Sequence, residues 1–175
     1  MRNPKQVLIF LYRINKEIEY CIFYRKKEKF YQGLSGGVED NEELIDTVKR
    51  EVYEETKIKV NNILKLDTIS SIPGINVNKE FNYKNNIYIV YEYAFGIKIN
   101  NEKIKLSDEH EKYIWVNFNE AINLLKYDSN KTALFELNER LIHNEVINNW
   151  TSSGIGYDLA KLLSKDYKLI LVGIN

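Results

Sequence analysis

The sequence predicts an α/β protein, a sandwich of mixed strands and helices, on three observations. Apolar, β-branched and aromatic runs dominate the first half, one amphipathic helix interrupts them, and helical spacing takes over after residue 117. In chain order, Val7 to Tyr12 and Glu19 to Tyr24 read as strands joined by a hairpin at Ile14-Asn15-Lys16-Glu17. Phe30 to Leu34 reads as a short strand running into Ser35-Gly36-Gly37. The next helix takes Asp40 or Asn41 as its N-cap, with Leu44, Ile45, Val48 and Val52 as its apolar stripe. Further strands are expected at Ile63 to Ser71, Ile87 to Ile99 and Lys112 to Val116. Asn117-Phe118-Asn119-Glu120 resembles a capping box and opens a helix through Leu125. A last helix from about Ser129 carries Ala133, Leu134, Leu137, Leu141 and Ile142 at helical spacing.

At 175 residues the chain suits one domain, 1–143, with a modest extension, 144–175. Lys+Arg and Asp+Glu are both 25, so nothing suggests bulk attraction to nucleic acid or to an anionic membrane. Cys21 is the single cysteine and lies in an apolar run, which suits a buried thiol in a reducing compartment. No apolar run approaches the ~20 residues of a membrane span, and the first residues lack a signal-peptide core. A cytoplasmic protein is expected.

The chemistry concentrates between residues 36 and 58. Glu51, Glu54 and Glu55 fall at i, i+3 and i+4, so three carboxylates converge on one helix face. Such a face is commonly just solvated, but it also suits a hard divalent cation, which takes oxygen ligands. The wider pattern weighs against the first alternative. Gly36, Glu42, Arg50-Glu51, Val52, Glu54-Glu55 and Ile58 resemble the Nudix box, whose six fixed positions would match by chance roughly once in 10⁵ chains of this size. One position departs from it: Lys57 stands where the box has glycine. A side chain there costs about 1–2 kcal/mol if the left-handed backbone is kept.

The resemblance implies a Nudix α/β/α sandwich over roughly residues 5 to 143 and the hydrolysis of a nucleoside diphosphate linked to another group, with Mg²⁺ or Mn²⁺ as cofactor. It implies Glu51, Glu54, Glu55 and the main-chain carbonyl of Gly36 as metal ligands, and Arg50 with Glu42 as the pair that orients them. A carboxylate outside the box would bind metal or act as general base. Glu109 is the candidate, with Asp108 and Glu111 as competitors, and a solvated acidic loop is the alternative. Arg25 is the candidate phosphate contact, and Lys26, Lys27 and Lys29 read as a hydrated turn. His110 could touch phosphate, although a surface or partly buried structural histidine is the more ordinary reading. Tyr31, Tyr88, Tyr91 and Tyr93 could stack on a base, or simply fill the core.

Weaker similarities point to bacterial Nudix enzymes acting on dATP or dihydroneopterin triphosphate. They are Tyr31-Gln32, Asp108-Glu109-His110 ahead of Trp115, and the helix after Tyr127-Asp128. The tail is different. Residues 151–173, with Ser153-Gly154-Ile155-Gly156 as the glycine turn, resemble the opening helix and strand of a short-chain dehydrogenase, cut too short for that activity. A helix and strand added to the Nudix domain are expected there, with a strand edge at Leu169 to Val172 that would permit a homodimer. Two other functions stay open: a Nudix-fold module that binds or senses a nucleotide without turnover, and a structural role through the extension.

Overall fold

The computed structural model describes residues 3–100 and 102–152, with no side-chain description for residues 83 and 144–152. Two compact units emerge, Met1–Leu137 and Asn138–Asn175.

The first unit is built on one mixed sheet. The seven strands are β1 (Lys5–Ile14), β2 (Ile18–Arg25), β3 (Tyr31–Gln32), β4 (Leu34–Gly37), β5 (Leu64–Pro73), β6 (Ile89–Lys98) and β7 (His110–Val116); five of them follow the path β3-β2-β1-β6-β5, with β4 paired to β1 and β7 to β2 off it. β1 is the axis. It runs parallel to β6 from Lys5 to Tyr12, while its other edge is shared by β4 (Gln6 to Ile9) and β2 (Leu11 to Ile14). β7 pairs with β2 antiparallel, so the His110 end of β7 lies beside Arg25.

Two-residue periodicity divides β1 between the faces of the sheet. Val7, Ile9 and Leu11 join Phe95, Ile97, Val48 and Val52 in a fully or almost fully buried core under helix α1 (Leu44–Thr56). On the opposite face, Gly96 of β6 lies directly beneath Leu137. A Cβ at that glycine would stand 2.5 Å from Leu137 Cδ1, so only glycine allows this approach. Leu137 belongs to helix α4 (Asp128–Ser152), whose Ala133, Leu134 and Leu137 are fully buried. Helix α2 (Gly74–Val77) is a single turn after β5. Helix α3 (Phe118–Leu124) starts at the expected capping box: Asn117 Oδ1 accepts from the Glu120 amide at 3.0 Å and the Glu120 carboxylate returns the bond.

The start of α1 differs from expectation. Its N-cap is Glu43, not Asp40 or Asn41. Asn41 takes a positive φ of 65°, and the Glu42 carboxylate accepts from the Glu39 amide at 3.1 Å, closing a turn before the helix. Ile45 is 38 % exposed, so the buried stripe runs through Thr47, Val48, Glu51, Val52 and Glu55 instead.

At its other end α1 keeps the left-handed cap with no glycine. Lys57 has φ 62° and ψ 16°, and its amide donates to Tyr53 O at 2.9 Å. Replacing Lys57 with Gly is therefore expected to stabilise the fold by about 1 kcal/mol, since the Cβ clash disappears while the amide bond stays. A higher urea midpoint at unchanged slope would show it; a lower one would contradict it.

In the second unit α4 continues to Ser152, so the expected boundary at 143/144 falls inside a helix, and His143 faces Glu139 at 3.7 Å. Of the dehydrogenase-like segment 151–173, residues 151 and 152 end α4, and the rest, with its expected strand and dimer edge, lies outside the described residues. No helix among the described residues is long and apolar enough to cross a membrane.

Candidate active site

A cleft of about 640 Å³ opens in the first unit, lined by Gly36 and Gly37 of β4 and by Glu51, Glu54 and Glu55 of α1. Helical spacing aims the three carboxylates there. Gly36 is needed for room: a Cβ on it would fall inside the Glu51 carboxylate. The backbone of β4 and the acid of α1 therefore meet at closest approach.

Arg50 organises this end. Its Nε and Nη2 grip Glu42 in a two-pronged pair, both at 2.9 Å. Nη1 reaches Glu51 Oε1 at 2.7 Å and Glu54 Oε2 at 3.4 Å, and Nη2 also donates to Gly37 O at 3.0 Å. One planar cation thus ties the glycine turn to two of the three acids. Lysine has no such fork. The guanidinium holds Glu42 at a pKa of about 2, against the opposing effect of burial, and its own proton is held more tightly than usual. Because the folded value lies below the unfolded one, this pair stabilises the fold above the ordinary glutamate range and loses that contribution as pH falls from about 4.5 towards 2. Acid unfolding of Arg50→Lys should accordingly begin at higher pH than that of the wild type. Superimposable acid titrations followed by circular dichroism would contradict this.

Glu51 and Glu55 differ although both are 8 % exposed. Burial pushes Glu51 up, the Arg50 hydrogen bond and charge pull it down, and the charges of Glu54 and Glu55 add to the rise. Burial also opposes ionisation of Glu55. There the hydrogen bonds from His110 and Ser107 prevail and hold it below the usual carboxylate range. His110 Nδ1 stands 2.9 Å from Glu55 Oε2, and Ser107 Oγ donates to the same oxygen. His110 is only 5 % exposed and packs its ring 5.3 Å from Phe23. It is thus a buried partner of Glu55, a role the sequence reading missed. Its Nε2 is buried without a hydrogen-bond partner among the described residues.

Of the three acids offered outside the box, Glu109 lines the cleft, whereas Asp108 and Glu111 do not. Glu111 pairs with Lys29 at 2.8 Å instead. Arg25 also lines the cleft, but its guanidinium is already engaged: Nη1 donates to Glu109 at 2.5 Å, and Nε and Nη2 reach Glu28 at 3.2 and 3.3 Å. None of the four tyrosines offered for stacking lines the cleft. Tyr88 and Tyr91 are exposed, Tyr93 packs on the α1 core, and Tyr31 meets Tyr24 edge-on at 4.9 Å. The aromatics that do line it are Phe30 and Tyr127.

Gln6, Glu92 and Asn130 line the same cleft. Asn130 Oδ1 accepts from the Gly33 amide at 2.9 Å, which fixes the start of α4 to the loop before β4. Glu92 is 4 % exposed; burial pushes its pKa up against the pulls of Gln6 and Ser129. An acid inside the apolar run Val90 to Phe95 was the available sequence signal for it.

The donor chemistry suits a hard divalent cation. The acids of α1 share one cleft with Gly36, whose backbone leaves no space for a Cβ beside Glu51. Among the described residues, however, no three His, Cys, Asp or Glu side chains already stand at ligand spacing, since Glu51 is turned to Arg50 and Glu55 to His110 and Ser107.

A mixed sheet thus carries an acidic helix against a glycine turn, the arrangement that the Nudix resemblance implies. The comparisons agree. The family profile described as NUDIX domain matches residues 2–137, so the chain belongs to the NUDIX family and is one of its pyrophosphohydrolases. A NUDIX hydrolase structure from Listeria monocytogenes is 38% identical, with a TM-score of 0.73, and the match covers 81% of this chain and 97% of that one. The dihydroneopterin triphosphate diphosphatase of Haemophilus influenzae is 26% identical over 138 residues, 76% of this chain and 86% of the relative. The asymmetrical bis(5'-nucleosyl)-tetraphosphatase of Rattus norvegicus is 30% identical over 104 residues, 58% of this chain and 65% of the relative.

Proposed function

We propose that the chain cleaves the pyrophosphate linkage of a nucleoside triphosphate, or of a similar nucleoside diphosphate derivative, with Mg²⁺ or Mn²⁺. The observation that carries this reading is the gathering of Glu51, Glu54, Glu55 and Glu109 on one cleft of the family's fold. Glu51, Glu54, Glu55 and the Gly36 carbonyl would hold the cation. Bound there, such an ion neutralises charge on phosphate oxygens and makes water a better nucleophile.

The chain's own groups supply positioning and proton transfer. Arg50 keeps Glu51 and Glu54 turned towards the glycine strand, and His110 with Ser107 keeps Glu55 ionised and fixed. Glu109 accepts the proton of the attacking water. Arg25 orients Glu109 and can transfer guanidinium hydrogen bonds to a phosphate as substrate enters. Water adds to phosphorus, the anhydride P–O bond breaks, and the leaving phosphate takes the electron pair. Fully buried Cys21, which does not line the cleft, suits a cytoplasmic setting.

The test is release of phosphate or pyrophosphate from a panel of nucleoside triphosphates, dinucleoside polyphosphates and dihydroneopterin triphosphate, with and without Mg²⁺. Ion-dependent release supports the reading. Binding without release from any substrate would overturn it in favour of a sensing module.

A further inference from the structure

Part of the cleft wall is not used by the phosphate chemistry. Glu92 lies midway along β6, directly beside Gln6 in the parallel β1–β6 register, and both line the cleft. Gln6 Nε2 donates to Glu92 Oε2 at 2.5 Å. The other oxygen, Oε1, is buried and has no hydrogen-bond partner among the described residues. A carboxylate oxygen withdrawn from water without a donor is costly, and folded proteins seldom keep one unless a ligand completes it. Two aromatic rings, Phe30 and Tyr127, also line the cleft, packed edge-to-face with centroids 5.1 Å apart. Apolar rings and a buried acceptor within one cleft are what a flat, polar-edged heterocycle needs.

We infer that Glu92 reads the base of the substrate, selecting a heterocycle whose edge places a ring N–H beside an exocyclic amine, as guanine and pterins do. This deepens the hydrolase reading and rests on it for the position of the phosphates. The selection follows from donor counting. A carboxylate offers acceptors only, and with Gln6 on Oε2 and Ser129 also pulling on the group, Oε1 is the oxygen left without a partner among the described residues. Guanine and pterin present two adjacent donors. Adenine and cytosine set a ring acceptor beside their amine and repel the carboxylate. Uracil flanks its single N–H with two carbonyls. A site built to accept from such groups discriminates strongly, because a wrong partner leaves buried oxygens unmatched.

The experiment compares binding of the α,β-methylene analogues of GTP and ATP by calorimetry in the presence of Mg²⁺, for wild type, Glu92→Gln and Glu92→Asp. Wild type should bind the guanine analogue at least about tenfold more tightly. Glu92→Gln, which puts an amide NH₂ donor where an acceptor is required, should bring the two affinities to within about threefold of each other. Glu92→Asp, still an acceptor, should retain a guanine preference. Hydrolysis of GTP against dihydroneopterin triphosphate then tells which of the two rings the site favours, with the loss in Glu92→Gln appearing in KM more than in kcat.

Equal binding of both analogues by wild type would overturn the inference without any variant. An unchanged preference in a folded Glu92→Gln would do the same. Guanine-selective binding that Glu92→Gln abolishes, with no release from any substrate, would sustain this inference and sink the hydrolase reading. Release with no base preference would have the opposite meaning.

Discussion

Glu55→Gln is expected to lower kcat/KM by about 10³-fold while leaving the fold intact. The substitution keeps the shape of a side chain that is 8 % exposed, so packing changes little. What it removes is a fixed negative charge. Ser107 and His110 both point at Oε2, and their combined pull outweighs burial and keeps Glu55 ionised. A charge held ready in a desolvated cleft is worth far more to catalysis than the same charge in water, and single preorganised groups of this kind typically contribute 10²–10³-fold or more. The substituted side chain would instead oppose a neutral amide to the incoming cation. Kinetics at saturating Mg²⁺, alongside thermal unfolding, checks this. Near wild-type turnover in a folded Glu55→Gln would remove Glu55 from the chemistry. The folded pKa of Glu55 is depressed, so its contribution to stability is present above the unfolded glutamate range and lost as pH falls through the folded value; the variant should lose that acid-side dependence.

Gly36→Ala is the second large effect, and here the cause is space, not backbone conformation. The added methyl would occupy the volume of the Glu51 carboxylate, which Arg50 Nη1 holds at 2.7 Å. Glu51 must then move, and Arg50 loses part of its grip. Displacement of a reacting or ligating group by about 1 Å can cost on the order of 10²-fold in rate. A double-mutant cycle isolates the route. If the methyl acts through Glu51, Gly36→Ala should cost little more in a Glu51→Ala background, because the clashing carboxylate is gone. Full additivity of the two losses would show that Gly36 acts some other way.

Much of this arrangement was legible in the sequence because it depends on local spacing. Glu51, Glu54 and Glu55 share a helix face by periodicity alone, and Asn117 with Glu120 announces its cap by type and separation. Strand order was not readable, since the parallel pairing of β1 with β6 joins residues more than eighty apart. The N-cap of α1 was misplaced for a tertiary reason. Glu42 is committed to Arg50 and to the Glu39 amide, so the chain turns once more before the helix starts. His110 reads in sequence as a phosphate contact or a surface or partly buried structural histidine, and nothing in its neighbourhood reveals that its partner is Glu55, 55 residues away. The sequence left the tyrosines open between stacking and core; Tyr91 and Tyr93 alternate with Glu92 along β6, and it is Glu92 that lines the cleft. An acid embedded in an apolar strand was the better clue.

The most direct measurement is a Mn²⁺ titration with nucleotide present, followed by electron paramagnetic resonance, on wild type and on the double variant Glu51→Gln with Glu55→Gln. Wild type should take up the ion at the acidic cleft, and the double variant, still folded, should lose that uptake. Identical Mn²⁺ binding by the two proteins, or none by either, would contradict the account.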